Sequence, residues 1–319
     1  MPTAWGKFLL FVFAMGTATG LWAQQEPLFT QYSSSYMYIN AGYAGMNQGI
    51  CIHSIARQQW AGFKDADGNK IAPQDFMITA DAPVKAIHGG VGLSIIQDKL
   101  GFETNVGVRL SYSYHLQIEA GSLGMGLGIN LLNRSIDFSK FKPVQSNDPV
   151  LLNAKQGAMI FDADIGFFFK SNSNYYIGLS ATHILESQGK DLSTSGTTIR
   201  YQTDRTFYLT AGYSFALPSH PRFEIQPSLL IQSDLVSTQY NISAIVNYNK
   251  RFWGGINYRY QESVAVMVGV YYQGFNFGYS YDISTLSMGV PGSHEITLSY
   301  CFKLKINKNK TSYKNTRYL

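Results

Sequence analysis

VGVRLSYSYHLQ, residues 106–117, alternates apolar and polar side chains without a break. Val106, Val108, Leu110, Tyr112, Tyr114 and Leu116 fall on one parity; Gly107, Arg109, Ser111, Ser113, His115 and Gln117 fall on the other. A β-strand points successive side chains to opposite faces, so this stretch has one greasy face and one wet face. On a helix Val106 and Val108 would stand about 200° apart, and Arg109 would land among the valines. The rhythm returns at Tyr240, Ile242, Ala244, Val246 and Tyr248, and again at Ile296, Leu298, Tyr300 and Phe302. Followed along the chain it predicts about fourteen strands: 48–59, 74–82, 89–97, 102–117, 122–134, 159–170, 174–184, 204–217, 222–232, 238–248, 251–260, 264–273, 275–283 and 294–303.

Which solvent each face meets follows from the ends and the composition. Residues 1–23 read as a secretory signal. Lys7 is the positive start, FLLFVFAM (8–15) the apolar core, and small residues lead to Ala23, with cleavage expected before Gln24. No later run approaches the roughly 18–20 apolar residues of a transmembrane helix, so the chain is either exported and soluble or crosses a membrane as a closed barrel. Only 14% of residues are charged, against roughly 25% in soluble domains, while Gly (30), Tyr (22) and Phe (20) abound. Low charge, abundant aromatics and strict alternation point to an outer face in lipid. The predicted fold is all-β: a closed antiparallel transmembrane barrel of the outer-membrane type spanning 48–303, preceded by a periplasmic or lumen-plugging segment 24–47 and followed by a basic tail 304–319.

Connection lengths test this independently, because bacterial barrels have short periplasmic turns and longer outer loops. From a periplasmic N-terminus the inner turns fall at 83–88, 119–121, 171–173, 218–221, 249–250 and 273–274, all short. The outer connections include 61–73, 135–158, 185–203 and 284–293, the longest in the chain. Both termini are then expected in the periplasm. The tail residues Lys305, Lys308, Lys310, Lys314 and Arg317 read as a solvated basic segment.

Catalytic chemistry is hard to find. The six histidines at 53, 88, 115, 183, 220 and 294 offer no pair at metal-ligand spacing, so neither metal nor cofactor is expected. Asp65-Ala66-Asp67-Gly68-Asn69 opens like a calcium loop but lacks its closing Glu and reads as a loop tip. Asp162 and Asp164, two apart on one face, read as lining a wet lumen. The glycine-rich GSLGMGLGIN (121–130) follows period two, so it reads as close packing or bending of a strand rather than a phosphate cradle. No serine-nucleophile pattern appears, and no enzyme is expected; nor is nucleic acid a fitting partner for an exported, aromatic-rich chain.

Inward positions by parity include Arg57, Arg109, His115, Asp162, Asp164, Glu224 and Arg259. About fourteen strands leave three outcomes open for the lumen: filled by side chains, plugged by 24–47, or open. Cys51 falls near the start of the first strand and Cys301 near the end of the last, at one rim, both facing inward. In an oxidising compartment they are positioned to bond across the seam; a slip of one residue would keep them apart.

Several stretches resemble one family. FTQYSSSYMYINAGYAG (29–45), Arg57 with Gln59, Trp60, Gly62 and Phe63, GGVGLSIIQDKLGFETNVGVRLSYSYHL (89–116), Ile136-Asp137-Phe138, and Tyr281-Asp282 through GSHEITLSYCF (292–302) are similar, in order, to the PorP/SprF outer-membrane proteins of Bacteroidota. Ala41-Gly42 departs from the Pro-Ala that usually precedes Tyr-Ala-Gly there. The resemblance implies a type IX secretion and gliding-motility component that supports secretion or surface attachment of large cargo such as adhesins. Its expected partners are that cargo, other secretion components in the periplasm and outer membrane, and outer-membrane lipid. The alternative is a solute-conducting porin.

Overall fold

The computed structural model describes residues 26–47, 49–65, 68–141, 155–190, 192–194, 197–199, 201–286 and 289–303. The signal with its Ala23–Gln24 junction and the tail 304–319 lie outside the described residues. Fourteen antiparallel strands close into a barrel: β1 (Gly49–Gln58), β2 (Gln74–Val84), β3 (Gly89–Leu100), β4 (Glu103–Ile118), β5 (Gly121–Asp137), β6 (Lys155–Ser171), β7 (Tyr175–Thr182), β8 (Thr206–Tyr213), β9 (His220–Ser233), β10 (Thr238–Tyr248), β11 (Phe252–Arg259), β12 (Ser263–Tyr272), β13 (Phe275–Ser284) and β14 (Ser293–Lys303). Each pairs with its sequence neighbours, and β1 pairs with β14 in a register running from Gly49 opposite Lys303 to Gln58 opposite His294. After β8 the chain breaks step at Ser214 and pairs on with β9 over Phe215–Leu217. A three-residue hairpin, Leu192–Thr194 with Thr197–Ile199, lies in the connection from β7 to β8.

Alternation in sequence becomes alternation in burial. Along β4 the even-numbered Val106, Val108, Leu110, Tyr112 and Tyr114 are exposed, whereas Gly107, Arg109, Ser111 and Ser113 are buried. Around the barrel the outer face carries exposed Leu127, Ile129, Met159, Ile256 and Val268. A soluble monomer rarely shows a contiguous apolar band of this kind; it is what hydrocarbon requires. At the short-turn end, aromatic pairs such as Phe275–Tyr300, Tyr300–Phe302, Phe223–Tyr248 and Phe169–Tyr175 pack side by side. The tyrosines among them, each with an apolar ring and a polar hydroxyl, suit a membrane interface.

Two strands run further than the alternation alone predicts. β5 and β6 extend to Asp137 and from Lys155, so the connection expected at 135–158 is shorter by several residues. Ser135 Oγ donates to the Thr104 carbonyl oxygen, tying this extension to β4. The tip at Asp65 is a turn in which the Asn69 backbone N–H and side chain both donate to the Asp65 carboxylate.

Candidate functional site in the lumen

The barrel interior is occupied by residues 26–47. They form two short 3-10 turns, Tyr32–Ser34 and Ala41–Tyr43, with a single helical turn at Tyr36–Ile39 between them. Phe29, Tyr32, Tyr36, Met37, Tyr38, Ile39 and Ala44 are all buried. The segment lies lengthwise. Its first residues touch the strand ends that bear the long connections, and Ala44 and Gly45 reach His115, Asp81 and Gly90 near the short-turn rim, where β1 begins.

Charge holds the first part. Glu26 is the one charged residue between 24 and 47. Its carboxylate takes Arg109 at 3.3 Å and His183 Nε2 at 2.6 Å, and accepts from the Tyr208 hydroxyl at 2.8 Å. Burial pushes this carboxyl up, but Arg109 and His183 outweigh it and hold Glu26 down at about 2. Burial likewise pushes His183 down, yet its bonds to Asp162 and Glu26 outweigh that and raise it to about 9. Arg109 also pairs with Asp164 at 2.7 Å, donates to the Tyr38 carbonyl and lies 4.4 Å over the Tyr38 ring. Four residues on, the Thr30 and Gln31 N–H groups each donate to Glu295 at 2.8 Å, and Thr30 Oγ1 donates to Asp282. Arg57 bridges both acids, at 2.8 Å to Asp282 and 3.1 Å to Glu295. Buried charges are tolerable only when paired and hydrogen-bonded in this way.

Shape holds the second part. A Cβ on Gly124 would stand 2.1 Å from the Gly42 carbonyl oxygen, and one on Gly126 would stand 2.2 Å from the Ala41 carbonyl carbon. The β5 wall is therefore bare where the segment's backbone lies against it. GSLGMGLGIN is the imprint of the plug, a reason for those glycines beyond the strand packing read from sequence. Ser113 and Ser180 donate to the Gly42 and Ile39 carbonyl oxygens. Tyr36, Tyr43, Phe168 and Tyr176 form an aromatic cluster, with Phe168 stacked on Tyr176 at 5.6 Å, and the Tyr36 and Tyr176 hydroxyls hydrogen-bond. Gly42 sits with two wall carbonyl oxygens, of Gly124 and Gly166, 2.8 Å from where a Cβ would be.

The inward residues read from sequence therefore have distinct fates. Arg57 and Arg109 clasp the segment, and Arg259 donates to the Leu28 carbonyl oxygen while pairing with Glu262. His115 contacts the Ala44 carbonyl oxygen. Glu224, half-buried, accepts from Gln226 away from the segment. Asp162 and Asp164 do not line free water. Asp162 takes the Leu185 and Ser187 N–H groups and the Thr203 hydroxyl, and Asp164 takes the His183 N–H. They fasten the β7–β8 connection across the mouth, where Tyr201 packs on Ala158 and Ile160. A cleft of about 90 Å³ remains beneath it, lined by Glu26, Asp98, Asn105, Arg134, His183 and Asp204 among others. Sequence reading missed Glu26 and His183. The signal was available for Glu26, a lone charge in a segment otherwise without any.

Cys51 stands opposite Cys301 in the β1–β14 register, and the two are disulfide-bonded. Glu26 lies in the half of the lumen nearer the long connections, whereas Lys303 lies at the short-turn rim; the side on which the chain's own ends emerge falls outside the described residues.

A closed fourteen-strand sheet with an apolar outer band and a polar, charged interior is an outer-membrane β-barrel. Solved barrels share the architecture. The toluene transporter TbuX of Ralstonia pickettii matches with a TM-score of 0.50 at 11% identity, covering 84% of this chain and 94% of its own. Omp33 of Acinetobacter baumannii matches with a TM-score of 0.46 at 6% identity, covering 81% and 100%. The curated proteins contain no match. The family described as type IX secretion system membrane protein PorP/SprF matches over residues 21–300, and the chain belongs to it. It is an outer-membrane component of type IX secretion, a family of barrel and secretion proteins rather than enzymes.

Proposed function

We propose that this barrel is a closed docking scaffold that supports secretion or surface attachment of large cargo proteins such as adhesins, and not a solute channel. The observation that supports this reading is the lumen, filled lengthwise by residues 26–47 and fastened at one end by three buried arginines. A porin needs a continuous wet path, whereas here the wall carries glycines where the plug's backbone rests. Binding then falls to the outside. The barrel end that bears the long connections, between β1 and β2, β5 and β6, β7 and β8, and β13 and β14, forms the cargo-facing surface, and the short-turn rim, where β14 ends, faces the periplasmic machinery.

An affinity pull-down from detergent-solubilised outer membrane, with a tag after Leu319, tests the proposal together with planar-bilayer conductance. Large secreted proteins and periplasmic type IX components in the eluate, with near-zero conductance, are the expected result. A barrel that elutes alone and conducts steadily would make it a porin.

A further inference from the structure

Beside the seam lies a group of donors that neither the plug nor the scaffold reading uses. Cys51 and His53 are two apart on β1 and share the inward face; Cys301 is the β14 residue opposite Cys51. The two Sγ atoms and a His53 ring nitrogen all lie within 4.8 Å of one another. Among the described residues neither His53 nitrogen has a hydrogen-bond partner, an expensive state for a largely enclosed imidazole unless something else meets it. Asp81, opposite Cys51 on β2, is 2% exposed; it spends Oδ2 on the Gly45 N–H and leaves Oδ1 without a partner. Cys301 is exposed at the short-turn rim, so the group has a door to solvent.

We propose that the dithiol form of this seam is a binding site for a thiophilic d10 cation such as zinc, held by Cys51, Cys301 and His53. Two thiolates and an imidazole are a fitting donor set for such an ion, which takes Cys sulfur at about 2.3 Å and His nitrogen at about 2.0–2.1 Å. In the bonded form the two sulfurs are spent on each other, so cation and disulfide exclude one another. Conversion requires a dithiol reductant. Its thiolate attacks the exposed Cys301 Sγ, the Cys51–Cys301 bond breaks, and its electron pair leaves on Cys51 as thiolate. The reductant's second thiol then displaces Cys301 and departs as an internal disulfide. Two electrons and two protons have passed to the seam, and a bound cation displaces the thiol protons. Spacing among histidines could not reveal this site, because the third donor lies 250 residues from the first.

The test uses the full barrel in detergent, reduced with dithiothreitol, desalted without oxygen and titrated with Cd2+ as a spectroscopic stand-in for zinc. Two free thiols per chain confirm reduction, and heat-modifiable migration on a gel confirms that the barrel is still folded. One equivalent of Cd2+ should raise a sulfur-to-metal charge-transfer band that added Zn2+ competes away, while the oxidised protein gives none. Losing even an outer-shell partner of a metal site costs about 10–100-fold in affinity, so His53→Ala should weaken binding at least about tenfold. A folded barrel with two free thiols and no band would overturn the proposal. So would a His53→Ala variant that binds as tightly as the parent.

Discussion

Residues 26–31 and residues 36–45 lie in the same lumen but are held by different physics. The first stretch is gripped by carboxylates, arginines and a histidine; the second rests its backbone on bare glycines and its rings on an aromatic cluster. A charged clasp depends on protonation and fails abruptly when one partner of a buried pair is removed. A shape-matched seat is indifferent to pH and fails by crowding. One plug thus has a chemical end and a mechanical end, and each can be disturbed alone.

Removing the Arg57 guanidinium should do most damage. Arg57→Ala leaves Asp282 and Glu295 buried without their shared cation, a loss on the order of 3–5 kcal/mol. Hydrogen exchange should rise first at residues 26–31, with conductance in a planar bilayer following. Crowding the seat comes next. Gly126→Val drives side-chain atoms into the Ala41 backbone at a cost of about 1–3 kcal/mol, and exchange should rise at 36–45 before the clasp. Gly254→Ala, whose Cβ would meet only the Met267 carbonyl oxygen at 3.6 Å, should change neither. If both damaging variants loosen both ends equally, the division into two ends is wrong.

A smaller effect follows from pH. His183 is raised from its usual 6.5 to about 9, so its contribution is whole below 6.5 and is lost as pH climbs through 9. Glu26 is lowered from 4.5 to about 2, so its contribution is whole above 4.5 and is lost as pH falls toward 2. Protection at residues 26–31 should therefore be greatest between about 4.5 and 6.5 and decline on either side, while 39–43, held by backbone, hydroxyl and ring contacts, stays level. Exchange measured across that range, corrected for intrinsic rates, checks it. The smallest change is Tyr36→Phe, which removes the hydroxyl bonded to Tyr176 and should cost the seat about 1 kcal/mol in a thermal or denaturant series.

The strands were legible because lipid outside and polar groups inside impose one period on every segment, and β10 falls at 238–248 as alternation alone predicts. The break at Ser214 was not legible, since one residue out of step leaves the pattern on each side intact. Position inside the barrel could be read for Arg57, Arg109 and Arg259 from parity. Their partners could not, because Glu26 meets His183 across 157 residues and Thr30 meets Glu295 across 265. GSLGMGLGIN was read as a property of its strand, yet its cause lies in a segment some 80 residues earlier that the strand pattern says nothing about.

The lengthwise path of the lumenal segment carries a consequence for the order of assembly. Among the described residues, the wall hydrogen bonds and closest backbone approaches of residues 37–45 come from β2 to β7, so most of this seat is in place once the wall has assembled as far as Thr182. The contacts of Thr30 and Gln31 with Asp282, Glu295 and Thr297 wait for the final two strands. Near contacts cost less chain entropy to close than distant ones. The first half of the wall can thus wrap around its own leading segment, as on a mandrel, before the last strand arrives to meet the first.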